Sequence, residues 1–321
     1  MFKLKYPLEL EREMELINFK YSIDMKIETS ILIPTYNNGQ FLLSCIKSIL
    51  SQEYRDYEII IIDDYSTDET EYILKILALT DTRIKYFKNK KSKGLVSALN
   101  YGVSLCQGIY IARMDSDDLM FGNRLNEQII YLKENPNIHA VCSGMQLIDK
   151  DGKHLRQSLG TADIEICKLM HLFLNMYTHA TMTAYREVFT NFKYKKNFLY
   201  CEDFELWSRI IQKYNIKHLQ SIHHIYRIYD KKSPKFNTRK SSIQAVMTIF
   251  SNQLNYYNIT HNERELLIHY GLFYEKNQIG NSEEIQNWLN KIFRAKQIIK
   301  IFSPNTIHEV KNQLFNKFNL S

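Results

Sequence analysis

Three aspartates lie within four consecutive positions of the stretch YIARMDSDDLMFGNR, which covers residues 110–124. Asp115 and Asp117 are two residues apart, so in an extended segment their side chains point to the same side, roughly 7 Å apart along the chain. Such carboxylates can share a divalent cation, or one can bind the cation while the other accepts from a sugar hydroxyl, and Mg²⁺ and Mn²⁺ prefer these oxygen ligands. The alternative is structural, because Asp and Ser also end strands and cap helices by bonding to nearby backbone N–H groups.

A second acidic pair, Glu202 and Asp203, precedes an apolar stripe containing Leu206 and Trp207 in the stretch FLYCEDFELWSRIIQKYN. The spacing of the stripe predicts a helix with the acidic pair at its N-terminus. The helix dipole stabilises a carboxylate there by about 0.3–1 kcal/mol, which is a structural reason to have one. The same position should keep a carboxylate ionised, as a general base requires.

Strands and helices alternate from residue 29 onward, which predicts an α/β fold with a mainly parallel sheet flanked by helices. In such sheets, ligands bind beyond the carboxyl ends of the strands. The polar clusters PTYN, DDYSTD and DSDD each follow a predicted strand, so we expect them to meet in one site. The predicted strands of this part are 29–36, 57–63, 83–89 and 108–115, and the predicted helices are 37–52, 64–79 and 93–106.

Beyond residue 122 the alternation is less regular. The turn signal DKDG predicts that the stretch 139–155 forms two joined strands. Helical spacing predicts a helix that begins at residue 123 and ends before Pro136, and another over 163–175. It also predicts several polar-rich helices, without catalytic clusters, over 240–321.

Composition restricts the class of protein. The chain has 321 residues, of which 45% are hydrophobic and 24% charged, as expected for a folded protein with a substantial core. Its five cysteines are widely spaced and form no CxxC pair, which predicts reduced thiols and argues against a zinc site. The net charge of +7 suits anionic partners, but no nucleic-acid recognition signature accompanies it, so we expect no nucleic acid. No apolar run is long enough to span a bilayer or to form a signal peptide, so we expect a cytoplasmic protein.

Standard phosphate-binding loops are missing from the sequence. No GxGxxG follows a strand and no GxxxxGK[ST] is present, so neither a dinucleotide-binding fold nor a P-loop is predicted. Any bound nucleotide would therefore need a metal ion and scattered side chains to neutralise its phosphates.

Five motifs together resemble the family 2 glycosyltransferases of the GT-A fold. They are ILIPTYNNGQFLLSCIKSILSQ, YEIIIIDDYSTDET, KGLVSALNYG, GIYIARMDSDDLMFGNRLNEQ and CEDFELWSRI, and their order and spacing follow the family pattern over about residues 29–230. The resemblance implies an N-terminal extension (1–28), a GT-A catalytic domain (29–235) and a helical C-terminal region (236–321). Within the catalytic domain it implies a nucleotide-binding half, 29–120, and an acceptor half, 121–235.

The resemblance also implies the residues of a nucleotide-sugar site, with a uridine diphosphate sugar as the implied donor. Asp117 is the implied direct ligand of Mn²⁺ or Mg²⁺, with Asp115 nearer the ribose, and Asp63 is the implied acceptor from the uracil ring, with Asp64 and Ser66 shaping the turn behind it. The remaining implied nucleotide-sugar residues are Pro34, Thr35, Tyr36, Asn37, Lys93, Gly94, Asn100, Arg113 and Ser116.

The implied reaction is transfer of a sugar, with inversion at its anomeric carbon, to a hydroxyl of a glycan or lipid-linked acceptor. A divalent metal would neutralise charge on the departing nucleotide diphosphate. Asp203 matches the catalytic base, and Glu202 is its neighbour in the acceptor region. An ionised carboxylate suits this role because the acceptor hydroxyl must lose its proton as it attacks.

One position departs from the family pattern. Many members have a histidine two residues after the arginine of a YRxH segment, whereas this chain has Tyr229 in the stretch IYRIYD. His179, His223 or His224 could take over at the metal, although a lone histidine is more often structural. Arg227 could reach the phosphates or form part of a solvated strand.

Two other functions are compatible with parts of the sequence. A sugar nucleotidyltransferase also uses metal-bound carboxylates, but such enzymes usually have a basic glycine-rich loop where this chain has PTYNNGQ. The other alternative is a catalytically inactive nucleotide-sugar-binding protein.

The C-terminal stretch NWLNKIFRAKQIIKIF predicts an amphipathic helix. One hypothesis is peripheral contact with an anionic membrane, which would hold the protein at the inner face of the cell membrane near a lipid-linked acceptor. The alternative is a helix packed on the catalytic domain with a solvated charged face. The apolar side contains Trp288, Leu289, Ile292 and Phe293, and the basic side contains Lys291, Arg294, Lys296 and Lys300.

Overall fold

The computed structural model describes residues 27–228, 239–275 and 279–320. The predicted N-terminal extension lies almost entirely outside these residues, as do the predicted boundary at 235–236 and Tyr229. Within the described chain, the sheet ends at Arg227, and the residues from Arg239 onward that belong to regular elements are all helical.

One mixed sheet forms the centre of the described structure. The strands are β1 Thr29–Thr35, β2 Tyr57–Asp63, β3 Ile84–Lys88, β4 Tyr110–Arg113, β5 Leu119–Met120, β6 Ala140–Ile148, β7 His154–Ser158, β8 Thr183–Tyr185 and β9 Ile216–Arg227. Their order in the sheet is β3-β2-β1-β4-β8-β6-β9-β5, and β7 pairs with β6. The first four strands of this order are parallel, as the alternation of elements predicts, whereas β8 is antiparallel to both of its neighbours.

Helices cover both faces of the parallel part. Alternate residues of β1 enter two cores: Leu32 packs on one face, and Ile31 and Ile33 pack on the other. Both faces are therefore buried, which explains the nearly continuous apolar strands. The helices are α1 Gly39–Leu50, α2 Thr70–Thr80, α3 Leu95–Leu105, α4 Arg124–Glu134, α5 Ile164–Met170, α6 Arg186–Asn191, α7 Glu202–Ile210, α8 Arg239–Tyr256, α9 Glu263–Tyr274, α10 Ser282–Phe293, α11 Lys296–Ile301 and α12 Pro304–Lys317.

The predicted helix over 163–175 is shorter in the structure, where α5 ends at Met170. The next residues form tertiary hydrogen bonds that a continuing helix would not allow. The His171 Nδ1 atom accepts from the Met176 backbone N–H at 3.2 Å, and the Leu172 carbonyl accepts from His269 at 2.8 Å. The 171–177 segment is therefore a loop held in place by its neighbours.

The apolar stripe of the predicted C-terminal amphipathic helix lies in the protein core. Trp288 is 2% exposed, and Leu289, Ile292 and Phe293 are also buried, in a core that includes Leu169 and Phe173. These side chains are not available to a membrane, so the packed-helix alternative describes α10 correctly. No helix in the described parts of the chain is both long and apolar enough to span a bilayer.

Because Trp288 fills this core, we expect Trp288→Ala to lower the free energy of unfolding by about 3–5 kcal/mol. Urea denaturation of both proteins measures this difference. The matched control is Ile299→Ala on α11, where the side chain is 58% exposed and the expected change is within about 0.5 kcal/mol. Equal stability of the Trp288 variant and the wild type would contradict the packing described here.

Candidate active site

A cavity of about 890 Å³ opens beyond the carboxyl ends of the parallel strands. Its size is typical of sites that bind small molecules. Pro34, Asp64 and Asp117, one from each strand-end cluster, line it, so these clusters converge as the sequence analysis expects. Asp203, 86 positions after Asp117 in the sequence, lines it as well. The predicted residues that line the cavity are Pro34, Thr35, Tyr36, Gly94, Arg113, Asp115, Ser116, Asp117, Glu202 and Asp203.

The acidic corner after β4 is compact. One carboxylate oxygen from each of Asp115, Asp117 and Asp118 lies within 4.8 Å of the other two. Asp118 already has protein partners: its Oδ1 atom accepts from the Arg227 backbone N–H, and its Oδ2 atom accepts from His224 Nε2, both at 2.8 Å. Asp115 and Asp117 line the cavity, whereas Asp118 does not.

His224 has a structural role in this corner. The Arg124 guanidinium donates to its Nδ1 atom at 3.5 Å, so the ring proton is on Nε2 and points to Asp118. Burial, with the nearby Arg124 charge, lowers the pKa of His224 to about 3, which keeps the ring neutral. Burial and the Asp115 charge raise the pKa of Asp118. His224 is thus committed to Asp118 and does not line the cavity.

Arg113 is a buried cation at the floor of the cavity. Its guanidinium forms an ion pair with Asp115, the two closest atoms being 2.5 Å apart. Burial alone would lower the pKa of Arg113, but the Asp115 carboxylate overcomes this effect and raises it. The Arg113 charge also lowers the pKa of Glu202 and of Asp203, so this cation acts on both acidic groups of the cavity.

Glu202 and Asp203 lie in the first turn of α7, as the apolar stripe predicts. Burial and the Asp203 charge raise the pKa of Glu202 to about 7. Burial also raises the pKa of Asp203 above its ordinary value, although the Phe204 backbone N–H donates to its Oδ1 atom at 2.7 Å. The N–H groups of the helix N-terminus therefore do not lower the pKa of Asp203 below its ordinary value, because the loss of hydration outweighs them.

Apart from the Arg113 Nη1 atom, which forms the ion pair with Asp115, four buried polar atoms of lining residues have no hydrogen-bond partner among the described residues. They are the Thr35 Oγ1, Arg113 Nε, Tyr177 Oη and Glu202 Oε2 atoms. Leaving a buried polar group unpaired costs about 1–3 kcal/mol, so a polar ligand that bonds to these atoms would remove the cost.

Asp63 and Asp64 have exchanged their expected positions. The Asp63 side chain is fully buried, and its Oδ1 atom accepts from the Ser66 backbone N–H at 2.8 Å, which stabilises the turn. Asp64 lines the cavity instead. Successive side chains at a strand end point in opposite directions, so a choice between neighbouring residues decides which carboxylate reaches the ligand.

Hydrogen bonds hold the Asp64 carboxylate at the cavity wall. Its Oδ2 atom accepts from the Gly94 backbone N–H and from Ser92 Oγ, both at 2.8 Å, and Oδ1 accepts from the Lys93 backbone N–H at 2.9 Å. Burial raises the pKa of Asp64, but these donors outweigh burial and lower it, so the group is ionised. Gly94 adopts a φ of +81° beside it, a conformation that favours glycine.

Three other predicted nucleotide residues are absent from the cavity lining. Lys93 contributes its backbone to Asp64, and its side chain is exposed. Asn37, at φ +50°, accepts from the Thr67 backbone N–H at 2.8 Å and joins two loops. Asn100 holds the Tyr194 backbone through two hydrogen bonds, of 2.9 and 3.0 Å. Their contacts in the structure are therefore with other parts of the protein.

The two remaining histidines and the arginine that the sequence analysis named as candidates for the metal or the phosphates also have protein partners. His179 lines the cavity, and its Nε2 atom lies 2.7 Å from the Tyr194 hydroxyl. His223 is buried beside Glu127, outside the cavity lining. The Arg227 guanidinium donates to the Asp117 carbonyl at 3.0 Å and to the Lys150 carbonyl at 3.1 Å.

The sequence analysis did not identify two asparagines of the cavity. Asn38 Nδ2 donates to Ser116 Oγ at 2.7 Å, and Asn175 Nδ2 donates to Asp203 Oδ2 at 3.0 Å. The sequence did point to the position of Asn38, since Asn38 directly follows Asn37, a predicted site residue in the stretch PTYNN. Asn175 lies in a stretch that predicts only a helix, so nothing in the sequence indicates its partner.

The acidic corner fits a divalent cation by its chemistry. Asp115 and Asp117 supply hard carboxylate oxygens on the cavity wall, and Mg²⁺ and Mn²⁺ sites commonly combine one or two carboxylates with water and substrate phosphate. The histidines of the described chain that were candidates for a third ligand have protein partners, so these two aspartates are the residues that would hold the ion.

Comparison with known proteins identifies the family of the chain. A sequence model of glycosyl transferase family 2 matches residues 30–205, more than half of the chain. An uncharacterized glycosyltransferase of Haemophilus influenzae is 33% identical over 192 residues, which cover 56% of this chain and 59% of that protein. The chain thus spans less than two thirds of this relative's length.

A relative with a more specific name is the Escherichia coli UDP-Glc:alpha-D-GlcNAc-diphosphoundecaprenol beta-1,3-glucosyltransferase WfgD. It is 30% identical over 192 residues, which cover 58% of this chain and 71% of that protein. Among solved structures, Staphylococcus aureus TarS 1–349 in complex with UDP-GlcNAc superposes with a TM-score of 0.61. It is 14% identical and covers 91% of this chain and 89% of that one, so the likeness shows the fold. The chain is a member of glycosyl transferase family 2 with the GT-A fold.

Proposed function

We propose that the protein transfers a hexosyl group from a nucleotide sugar, most simply a UDP-sugar, to a hydroxyl of a glycan or lipid-linked saccharide, with inversion at the anomeric carbon. The observation that carries this proposal is that the Asp115–Asp117 corner and the Glu202–Asp203 pair line one cavity. The UDP-sugars named for WfgD and TarS support the donor class, and the diphosphoundecaprenol in the name of WfgD supports a lipid-linked acceptor. A lipid-linked acceptor would bring a cytoplasmic enzyme to the inner face of the membrane.

In this proposal the first half of the cavity binds the donor. Asp64, in place of Asp63, would accept from an N–H of the base, because it is ionised and lines the cavity. Thr35 would donate its unpaired hydroxyl to the nucleotide. Asp115 and Asp117 would hold Mn²⁺ or Mg²⁺, which when bound would neutralise the charge that develops on the diphosphate leaving group.

The second half of the cavity would activate the acceptor. Asp203, once ionised, would accept the proton of the acceptor hydroxyl as its oxygen attacks the anomeric carbon. Attack from the side opposite to the diphosphate forms the new glycosidic bond as the old bond breaks, which inverts the configuration. Glu202 would accept from a sugar hydroxyl through its unpaired Oε2 atom.

The donor class can be tested with a panel of nucleotide sugars incubated with the protein and Mn²⁺ or Mg²⁺. We expect release of UDP from at least one UDP-sugar, slowly to water and faster when saccharide acceptors are added. Product anomers identified by NMR would test inversion. Pyrophosphate release would instead support a nucleotidyltransferase, and nucleotide binding without release would support an inactive binding protein.

We expect kcat/KM to fall as the pH drops below about 7. The raised pKa values of the acidic pair, about 7 for Glu202, mean that protonation in this range removes negative charge from the catalytic pair. The ionised form is the active one, so activity is present above this pH and lost below it. Glu202→Gln should move the acid limb to lower pH. A wild-type limb at pH 4–5, typical of exposed carboxylates, would contradict the raised pKa values.

A further inference from the structure

The C-terminal helices contact the loop and the helix that hold Asp203. We infer that these helices position the catalytic base, and that Asn175 is the residue that orients its carboxylate. The inference rests on the proposed role of Asp203 and assigns a function to a part of the chain that lies beyond the residues matched by the family.

Asn175 is oriented unambiguously toward Asp203. Its Oδ1 atom accepts from the Tyr177 backbone N–H at 3.2 Å, so the other end of the amide must be the donor. That Nδ2 group donates to Asp203 Oδ2 at 3.0 Å. With the Phe204 N–H on Oδ1, each oxygen of the carboxylate has one fixed donor, which sets its direction in the cavity.

The loop that carries Asn175 is attached to two C-terminal helices. Trp288 Nε1 on α10 donates to His269 Nδ1 on α9 at 3.1 Å. Because the indole N–H can only donate, the ring proton of His269 is on Nε2, and this N–H donates to the Leu172 carbonyl at 2.8 Å. The ring of His269 also stacks on Phe173, with centroids 5.0 Å apart. This chain of contacts fixes the loop three residues before Asn175.

A second link holds the helix that carries Asp203. The ring of Phe204 packs edge-on against the ring of Phe250 on α8, with 5.7 Å between the ring centroids. It also stacks on the ring of Tyr274 on α9, with 6.4 Å between the centroids and 14° between the ring planes. Both partners belong to the C-terminal helices. The C-terminal helices therefore hold the first turn of α7 in place through Phe204, the residue that follows Asp203.

These contacts have a consequence for the protonation of the base. Burial raises the pKa of Asp203, and the Asn175 amide is among the groups that oppose this rise. If the amide is removed, the pKa should rise further and less of the base should be ionised at neutral pH. The other titratable or charged groups whose interactions involve Asp203 are Glu202, Arg113, Tyr194, Cys201 and Tyr274.

The test compares Asn175→Ala, Trp288→Phe and a control, Val310→Ala, in the full chain. Trp288→Phe keeps an aromatic ring in the core but removes the N–H donor to His269. Val310 is fully buried on α12, in the same core as Trp288, so its truncation lowers stability without removing any hydrogen bond between Trp288, His269, Leu172, Asn175 and Asp203. Carboxyl-¹³C-labelled aspartate, with Asp203 assigned from the signal missing in Asp203→Asn, reports the protonation of the base without requiring turnover.

We expect Asn175→Ala to raise the Asp203 titration midpoint by about 0.5–1 pH unit, the effect of one hydrogen bond to a carboxylate. Trp288→Phe should shift it in the same direction by less, and Val310→Ala should lower the melting temperature without a shift. The acid limb of kcat/KM should follow the titration midpoint.

An unchanged Asp203 midpoint in Asn175→Ala would overturn the inference, whatever the activity of the variant. A midpoint shift in Asn175→Ala but not in Trp288→Phe would limit the positioning role to Asn175 and overturn the part assigned to the helices. Failure of the proposed function looks different, because the wild type would then release no nucleotide from any donor while the midpoints still shift.

Discussion

Asp203→Asn should lower kcat by about 10²–10⁴-fold while leaving UDP binding within about twofold of the wild type. The amide keeps the size of the side chain but cannot take a proton from the acceptor. Asp203 lines the cavity from α7, apart from the Asp115–Asp117 corner in sequence and in secondary structure. Initial rates with the best donor of the panel, together with calorimetric titration of UDP, measure the two effects.

The matched control is Asp151→Asn, an equal change of charge at the exposed turn between β6 and β7. It should keep both the rate and the affinity. Transfer by Asp203→Asn at the wild-type rate would show that another group is the base, and Glu202 would then be the next residue to replace.

Asp117→Ala should weaken UDP binding in the presence of Mn²⁺ and also reduce transfer. Removing a residue that only hydrogen-bonds to a metal ligand typically lowers metal affinity 10–100-fold. Asp117 would bind the ion directly, so we expect a loss at least this large. Binding of UDP without metal should be equally weak in the variant and the wild type, because the lost ligand acts only through the ion. Calorimetric titrations with and without EDTA provide the four affinities of this comparison.

Asp56→Ala serves as the control for this experiment, since Asp56 is exposed and lies before β2, at the opposite end of that strand from the cavity. If EDTA lowered the UDP affinity of wild type and Asp117→Ala by the same factor, the ion would be bound elsewhere.

The sequence predicts the parallel half of the fold well because its signals are local. Buried strands such as YEIIIID and helices with clear apolar spacing alternate there, and connections of this kind allow few topologies. The second half is less predictable. The three residues of β8 are too short to give a pattern, and their place between β4 and β6 depends on pairing with residues far away in the chain.

The candidate site was predictable to the level of motifs but not always of individual residues. Asp117 and Asp203 line the cavity as expected. Asp64 lines it in place of Asp63, because successive side chains of a strand point to opposite sides. The partner of Asn175 is 28 positions away, and no periodicity reports such a contact. The raised pKa of Asp203 depends on burial, which sequence spacing does not measure.

The α10 helix illustrates a pattern with two physical explanations. An apolar stripe beside lysines suits a membrane surface and equally a helix packed on a core with its cations in water. The choice depends on whether another part of the chain covers the stripe. Here α9, α12 and Phe173 of the loop after α5 pack against it, which only the structure reveals.

The position of β8 has a consequence for how the protein folds. The two halves of the sheet join only when Thr183–Tyr185 enters between β4 and β6, and β4 ends about seventy residues earlier in synthesis. Until then the nascent chain exposes two unpaired strand edges, which are sites for aggregation. High contact order of this kind slows folding, so we expect overproduced protein to be lost mainly before β8 is inserted, with slower synthesis or lower temperature raising the soluble yield.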